Sequence, residues 1–260
     1  MGGSIHVEKD GPIGWLVFDH PERRNAISVE MWQEIPRAAA ALDADDAVRV
    51  VVLRGAGELA FVSGADISEF GRSRVGEAAE GYEQDNARAF AALSRIGKPV
   101  IAMIHGFCVG GGAALSLTAD VRYAADDAVF AIPAAKLGLG YAMQGLEALC
   151  NLVGFSNAKE IFFTAQRYDA EEARHLGLVN RVVPKAELEG FVREQAEHIA
   201  GNAPLTIRSV KQIVSELARD PAERDLDAVA EGIRACMESE DYREGMRAFL
   251  EKRRPEFKGR

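Results

Sequence analysis

The segment Lys98–Asp120, KPVIAMIHGFCVGGGAALSLTAD, constrains the fold more than any other stretch of the chain. Val100–Ile104 is a short β-branched and apolar run set off by Lys98-Pro99, the pattern of a buried strand. Gly110-Gly111-Gly112 then opens a helix of small residues to about Thr118. A strand that passes through three glycines into such a helix lets other groups approach the backbone closely. The helix start also offers unpaired N–H groups and the positive end of the helix dipole. Such a terminus stabilises negative charge, including a transient oxyanion. Tight packing of a helix on a sheet demands the same residues, so both readings stand at this point.

The rest of the chain places this segment in an α/β frame. Ile5 and Val7 alternate with polar neighbours, Asp10-Gly11 turns, and Trp15–Asp19 is extended, which predicts an opening hairpin. Ser28 is placed to cap a helix from about Val29 to Leu42. Arg49–Arg54 reads as a strand, Gly57–Gly71 as a loop, and Ala78–Arg95 as a helix. Val121–Ala124 and Ala128–Ile132 read as two further strands. Asp169 and Glu172 form a capping box for a helix ended by Gly177, and Val179–Val183 is a strand stopped by Pro184. From about Ala186 onward the pattern is helical, broken at Asn202-Ala203-Pro204 and at Pro221. The expectation is an α/β core over residues 1–200 and a helical region over 201–260, whose apolar stripes pack on the core or on another subunit.

Composition limits the partners. Lys and Arg number 31 against 40 Asp and Glu, a net charge of −9, which disfavours nucleic acid and anionic membranes. An anionic ligand therefore needs a local basic patch. No apolar run is long enough to span a bilayer. Met1–Pro12 lacks a signal-peptide pattern, and the three scattered cysteines, Cys108, Cys150 and Cys236, form no CxxC. A reducing, cytoplasmic setting is expected. The histidines make no metal-binding spacing, so no metal site is expected, and no Walker A, dinucleotide or nucleophile-elbow motif occurs. His105, between the strand and the glycines, reads as structural.

Six segments taken together resemble the crotonase superfamily, the enoyl-CoA hydratase/isomerase family. They are HPERRNAIS at His20–Ser28, SGADI at Ser63–Ile67, Pro99–Asp120, FAIPAAKLGLG at Phe130–Gly140, AEEARHLGLVNRVVP at Ala170–Pro184, and FLEKRRPEFKGR at Phe249–Arg260. The resemblance implies a spiral of ββα units followed by a C-terminal helical region that builds a homotrimer or a hexamer. It implies an acyl-CoA thioester substrate and no cofactor beyond the CoA moiety that the substrate carries. It places two backbone N–H donors for the thioester oxygen at Ala65 and Gly111. CoA contacts fall at Arg24, Ala26, Ala65, Asp66 and Ile67, and Lys252, with Arg253 and Lys258, is a candidate for the nucleotide end.

The departures from the family pattern bear on the reaction. Hydratases of the family carry two glutamates that hold a water and move its protons. At the matching positions this chain has Ala114 and Ala134. A methyl group is neither acid nor base, and one placed acid–base group contributes about 10²–10⁴-fold. Ordinary hydration is therefore not expected. The segment LGLGYAMQG resembles methylmalonyl-CoA decarboxylases of the family, which carry a tyrosine at the position of Tyr141. Tyr141 and Gln144 become candidate catalytic groups, with Glu69, Tyr82 and Glu147 in reserve. The expected activity is that of a lyase or isomerase acting on an acyl-CoA: decarboxylation of a malonyl-type thioester, or an atypical hydratase or isomerase reaction. A CoA-thioester-binding subunit without catalysis is the alternative.

Overall fold

The computed structural model describes residues 2–69, 76 and 78–260. Three apolar runs set the architecture, because each alternates its side chains between two buried faces. In β2 (Ile13–Asp19), Ile13, Trp15 and Val17 face one core, while Leu16 and Phe18 face the other. In β3 (Val50–Gly55), Val50 and Val52 oppose Val51 and Leu53 in the same way. In β5 (Val100–Ile104), Ile101 and Met103 oppose Val100, Ala102 and Ile104. Each fully buried side chain of this size contributes about 1.5–3 kcal/mol relative to an exposed one.

These strands form the centre of a six-stranded sheet with β1 (Ser4–Asp10), β7 (Val121–Ala125) and β10 (Arg181–Val183), in the order β1-β2-β3-β5-β7-β10. The β1–β2 hairpin is antiparallel and the remaining pairs are parallel. A second sheet, order β4-β6-β8-β9, is built from β4 (Ala60–Val62), β6 (Phe107–Val109), β8 (Val129–Ala131) and β9 (Tyr168–Asp169). The chain alternates between the two sheets as it advances, which is the ββα spiral expected from the resemblance.

Helices cover both outer faces. On one side lie α1 (Val29–Ala44), α2 (Ala78–Ser94) and α3 (Gly111–Ser116). Short α4 (Ala134–Leu137) and long α5 (Met143–Thr164) follow, the latter interrupted at Gly154, whose φ of 79° is not helical. Then come α6 (Ala170–His175) and α7 (Leu188–Ala200), which lays Leu188, Val192 and Ala196 on the other face of the large sheet. The chain ends in α8 (Pro204–Leu217), α9 (Leu226–Glu238) and α10 (Glu240–Glu251). Lys211 on α8 ties this region to the core, donating to Asp120 at 2.7 Å and to the Lys98 carbonyl at 2.9 Å.

The predicted caps are in place. Ser28 accepts from the Met31 N–H at 3.3 Å, and Asp169 with Glu172 forms both bonds of a capping box. Two expectations need correction. The predicted loop Gly57–Gly71 contains strand β4 and a 3₁₀ turn, Ile67–Glu69, while its end lies outside the described residues. Strand β6 lies between His105 and the glycines, where none was expected. Both strands are three residues long, too short for a periodic signal, and they exist through pairing with distant segments, β4 with β6 and β6 also with β8.

Candidate active site

The site begins with a turn whose centre is Asn25. Asn25, buried at 1% exposure, accepts the His20 N–H at 3.0 Å and donates to the carbonyls of Ala56 at 3.0 Å and Ala60 at 2.8 Å. Arg24 and Asn25 both adopt left-handed backbone, with φ of 53° and 57°. The His20 ring donates through Nδ1 to the Ala26 carbonyl at 2.9 Å. The exposed Arg24 guanidinium rests over the Phe107 ring, 4.8 Å from its centroid. Ser63 then stitches the turn to the next segment, its N–H on the Arg24 carbonyl and its hydroxyl on that of Arg23.

The chain at Ser63–Ile67 runs beside Ile27. The Ile27 N–H donates to the Gly64 carbonyl, and the Asp66 N–H donates to the Ile27 carbonyl, both at 2.9 Å. In this parallel bridge Ile27 straddles Ala65, so the N–H of Ala65 faces the opposite side. On that side stands α3. Gly110, with φ of 55°, precedes it and donates its N–H to the Ala131 carbonyl at 2.8 Å. Gly111 is the first residue of the helix, and its N–H has no acceptor within it. A β-carbon built on Gly111 would lie 3.6 Å from the Ala65 nitrogen and 3.5 Å from Cζ2 of Trp32. Among the described residues neither N–H has a hydrogen-bond acceptor. At Gly112 a β-carbon would stand 2.0 Å from the Val62 carbonyl oxygen, so glycine is what allows α3 to seat against β4.

The N–H groups of Ala65 and Gly111 lie on neighbouring segments without acceptors among the described residues, on a two-sheet spiral, and residues 8–260 match the enoyl-CoA hydratase/isomerase family. The chain belongs to the enoyl-CoA hydratase/isomerase family. The short-chain-enoyl-CoA hydratase of Clostridium acetobutylicum is 35% identical over 258 residues, covering 99% of this chain and 98% of that one. A carnitinyl-CoA dehydratase of Salmonella enteritidis is 36% identical over 270 residues, covering 100% of both. The crystal structure of an enoyl-CoA hydratase/carnithine racemase from Magnetospirillum magneticum superposes with a TM-score of 0.94. It is 35% identical and covers 98% of this chain and 96% of its own. As an enoyl-CoA hydratase/isomerase family member, the chain is an acyl-CoA enzyme.

The remaining candidates fall around this centre unevenly. Ala114 lies one turn into α3, its N–H on the Gly110 carbonyl at 3.0 Å. Ala134 opens α4, 5% exposed, directly after Pro133, whose ring lies 4.0 Å from the β-carbon position of Gly110. The half-buried Tyr141 ring packs edge-on against Phe162 of α5, centroids 4.8 Å apart. Of the two glycines before it, only Gly138 takes left-handed backbone, with φ of 64°. Gln144 belongs to the start of α5, and its side chain lies outside the described residues. Asp66 accepts both the N–H and the hydroxyl of Ser68. Burial raises its carboxyl, but those bonds and the nearby Arg23 bring the net shift below the ordinary value. Ile67 is exposed.

Several reserve candidates are otherwise engaged. Glu69 accepts the Val29 N–H at 2.9 Å at the start of α1, and Glu147 is solvent-exposed. Tyr82 is buried on α2. Lys252 caps α10 in left-handed backbone, and no hydrogen bond among the described residues joins it to the Arg24–Ile67 cluster. Arg253 pairs with Glu251 at 2.7 Å and with Glu244 at 3.0 Å, so its guanidinium is already held by two carboxylates. Burial pushes the Cys108 thiol up to about 12, which makes it inert as a nucleophile. Sequence reasoning passed over Asn25 and Trp32. The left-handed turn at Asn25 was signalled only by its residue type, and nothing local in the sequence set Trp32 apart.

Proposed function

We propose that the N–H groups of Ala65 and Gly111 hold the oxygen of an acyl-CoA thioester as an enolate forms. The observation that carries this reading is their convergence without acceptors. Removing one such donor typically costs about 2.7–4 kcal/mol of transition-state stabilisation. Arg24, braced on Phe107, has its guanidinium edge available for a CoA phosphate, which answers the need for local positive charge in a chain of net charge −9. Ala26, Asp66, Ile67 and Lys252 complete the CoA-binding set in this reading.

The reaction needs no paired carboxylates. With alanine at 114 and 134, the chemistry that this equipment serves best is decarboxylation of a malonyl-type thioester. The bond between the α-carbon and the carboxylate breaks, CO₂ leaves, and the electron pair passes to the thioester oxygen between Ala65 and Gly111. The α-carbon then takes a proton, from Tyr141 or by way of it, to give the shortened acyl-CoA. A phenol with pKa near 10 stays protonated at neutral pH, so it can orient a carboxylate or donate without the cost of a buried charge. The hydratase and dehydratase relatives, at 35% and 36% identity, favour a second reading, hydration or dehydration through neutral groups.

A homotrimer, or a hexamer made of two, fits the exposed apolar side chains of α8–α10, among them Val210, Val214, Leu217, Met237 and Phe249. The deciding experiment is turnover of crotonyl-, methylmalonyl- and longer enoyl-CoA thioesters followed by mass spectrometry, with calorimetric binding beside it. Loss of CO₂ from methylmalonyl-CoA with slow crotonyl-CoA hydration is the expected result. Fast hydration of crotonyl-CoA overturns the decarboxylation reading, and tight binding of every thioester without turnover supports a non-catalytic CoA-binding subunit.

A further inference from the structure

Ala65 sits on a strip of chain, Ser63–Glu69, that runs beside Arg24–Val29 and is bonded to it along its length. The Ser63 N–H donates to the Arg24 carbonyl at 3.1 Å, the Ile27 N–H to the Gly64 carbonyl at 2.9 Å, and the Asp66 N–H to the Ile27 carbonyl at 2.9 Å. At the far end a side chain takes over: Oε2 of Glu69 accepts the Val29 N–H at 2.9 Å. Val29 is the first residue of α1, so its N–H is among those that the helix cannot pair internally. An anionic acceptor suits that end of a helix, where unpaired N–H groups and the dipole both favour negative charge. The cap residue Ser28 serves Met31 instead. Glu69 thus completes the capping of α1 from 40 positions away.

The 3₁₀ turn that carries Glu69 buries no side chain, and Ile67 and Ser68 are exposed. Apolar packing therefore does not fix its place. The Glu69 N–H donates to the Asp66 carbonyl at 3.1 Å, and Ser68 donates to the Asp66 carboxylate. Those bonds lie within the turn, whereas the Glu69 carboxylate ties it to α1.

We propose that Glu69 is a positioning residue for the Ala65 donor. Its grip on the Val29 N–H keeps the Ile27–Ala65 bridge in register and so aims the Ala65 N–H at the thioester oxygen. The inference rests on the reading of Ala65 and Gly111 as an oxyanion pair and adds what holds one member in place. Only Asp66, Ile67 and Ser68 separate Ala65 from Glu69, so a slip at the tether reaches the donor through a short segment. A donor acts on an oxyanion best when it is aimed beforehand, and a small misplacement weakens enolate stabilisation more than binding of the ground state. Glu69 touches no reacting atom in this scheme and is neither acid nor base.

The test uses acetoacetyl-CoA, a β-keto thioester whose enolate absorbs in the near ultraviolet. The enolate-to-keto ratio of the bound ligand at one neutral pH reports how well the two N–H groups hold an oxyanion. Calorimetry with butyryl-CoA reports binding of the ground state, and melting temperatures establish that each variant is folded. The wild type should raise the ratio at least about tenfold over that of the free ligand. Glu69→Ala should lower the bound ratio at least about fivefold while keeping butyryl-CoA affinity within about twofold. Glu69→Gln should stay within about twofold of the wild type, because its amide oxygen still accepts the Val29 N–H. Val29→Pro removes the same bond from the other side. Proline fits the first position of a helix, and Ser28 before it is already extended, with ψ of 170°. This variant should lower the ratio as Glu69→Ala does, the double change should lower it no further, and should Glu69→Ala fail to fold, Val29→Pro carries the test. An undiminished ratio in Glu69→Ala or Val29→Pro, or a Glu69→Gln as impaired as Glu69→Ala, overturns the positioning role while the oxyanion reading stands. Folded wild type that binds acetoacetyl-CoA without raising its enolate fraction, or does not bind it, overturns the oxyanion reading, and the positioning role with it.

Discussion

The backbone nitrogen of Ala65 stands 3.6 Å from the point that a β-carbon on Gly111 would occupy. Gly111→Ala should therefore fold, because that distance and the 3.5 Å to Trp32 are ordinary contacts. The new methyl would fill the space in front of the two N–H groups. Turnover should fall on the order of 10²–10³-fold with the melting temperature little changed. Gly112→Ala is the contrasting control. Its methyl would meet the Val62 carbonyl at 2.0 Å, so it should destabilise by more than about 4 kcal/mol in a denaturant titration.

Restoring the carboxylates should restore a hydratase. The double change Ala114→Glu and Ala134→Glu should raise crotonyl-CoA hydration, measured by the loss of enoyl absorbance. The two groups act as a unit, so either change alone should do far less. A wild type that already hydrates crotonyl-CoA as fast as the double variant would refute the idea that these positions limit the reaction.

Tyr141→Phe separates packing from chemistry. The ring contact with Phe162 survives the change, so stability should hold. Turnover of the true substrate should drop by about 10²-fold or more, with acyl-CoA affinity largely kept. Full activity in this variant would move the search for the proton donor to Tyr82.

Asn25→Ala should loosen the turn that presents Arg24. The change removes the acceptor for the His20 N–H and the donors to Ala56 and Ala60, and it puts alanine at a φ of 57°. We expect about 2–4 kcal/mol of lost stability and a parallel loss of CoA affinity, read by thermal melting and calorimetry.

Stability should fall as pH drops below about 6.5, in part through His105. Burial pushes its imidazole below the ordinary 6.5, while Glu58 and Asp127 pull the other way without cancelling the shift. Between the folded and unfolded values the unfolded chain binds more protons. Stability is therefore full above 6.5 and is lost as pH falls toward the folded value. His105→Gln should flatten that slope in melts between pH 7 and pH 5.5.

Local signals in the chain determined a good part of this fold. The apolar runs of β2, β3 and β5, the caps at Ser28 and Asp169, and the breaks at Pro99 and Pro204 each act within a few residues, so they are legible one element at a time. The three glycines marked the place where backbone would meet backbone, and the matched segments marked Ala65 and Gly111. Tertiary structure alone decided the rest. Strands β4 and β6 have three residues each and exist only through pairing with distant segments, β4 with β6 and β6 also with β8. Asn25 reaches Ala60 across 35 positions, and Arg253, read from the sequence as a candidate for the nucleotide end, is held by Glu244 nine positions away. Nothing local in the sequence sets Trp32 or Asn86 apart. Only the packing of the tertiary structure leaves the Trp32 indole N–H and the Asn86 amide oxygen each buried without a partner among the described residues, because satisfaction of a polar group depends on what folds against it and not on its neighbours in sequence.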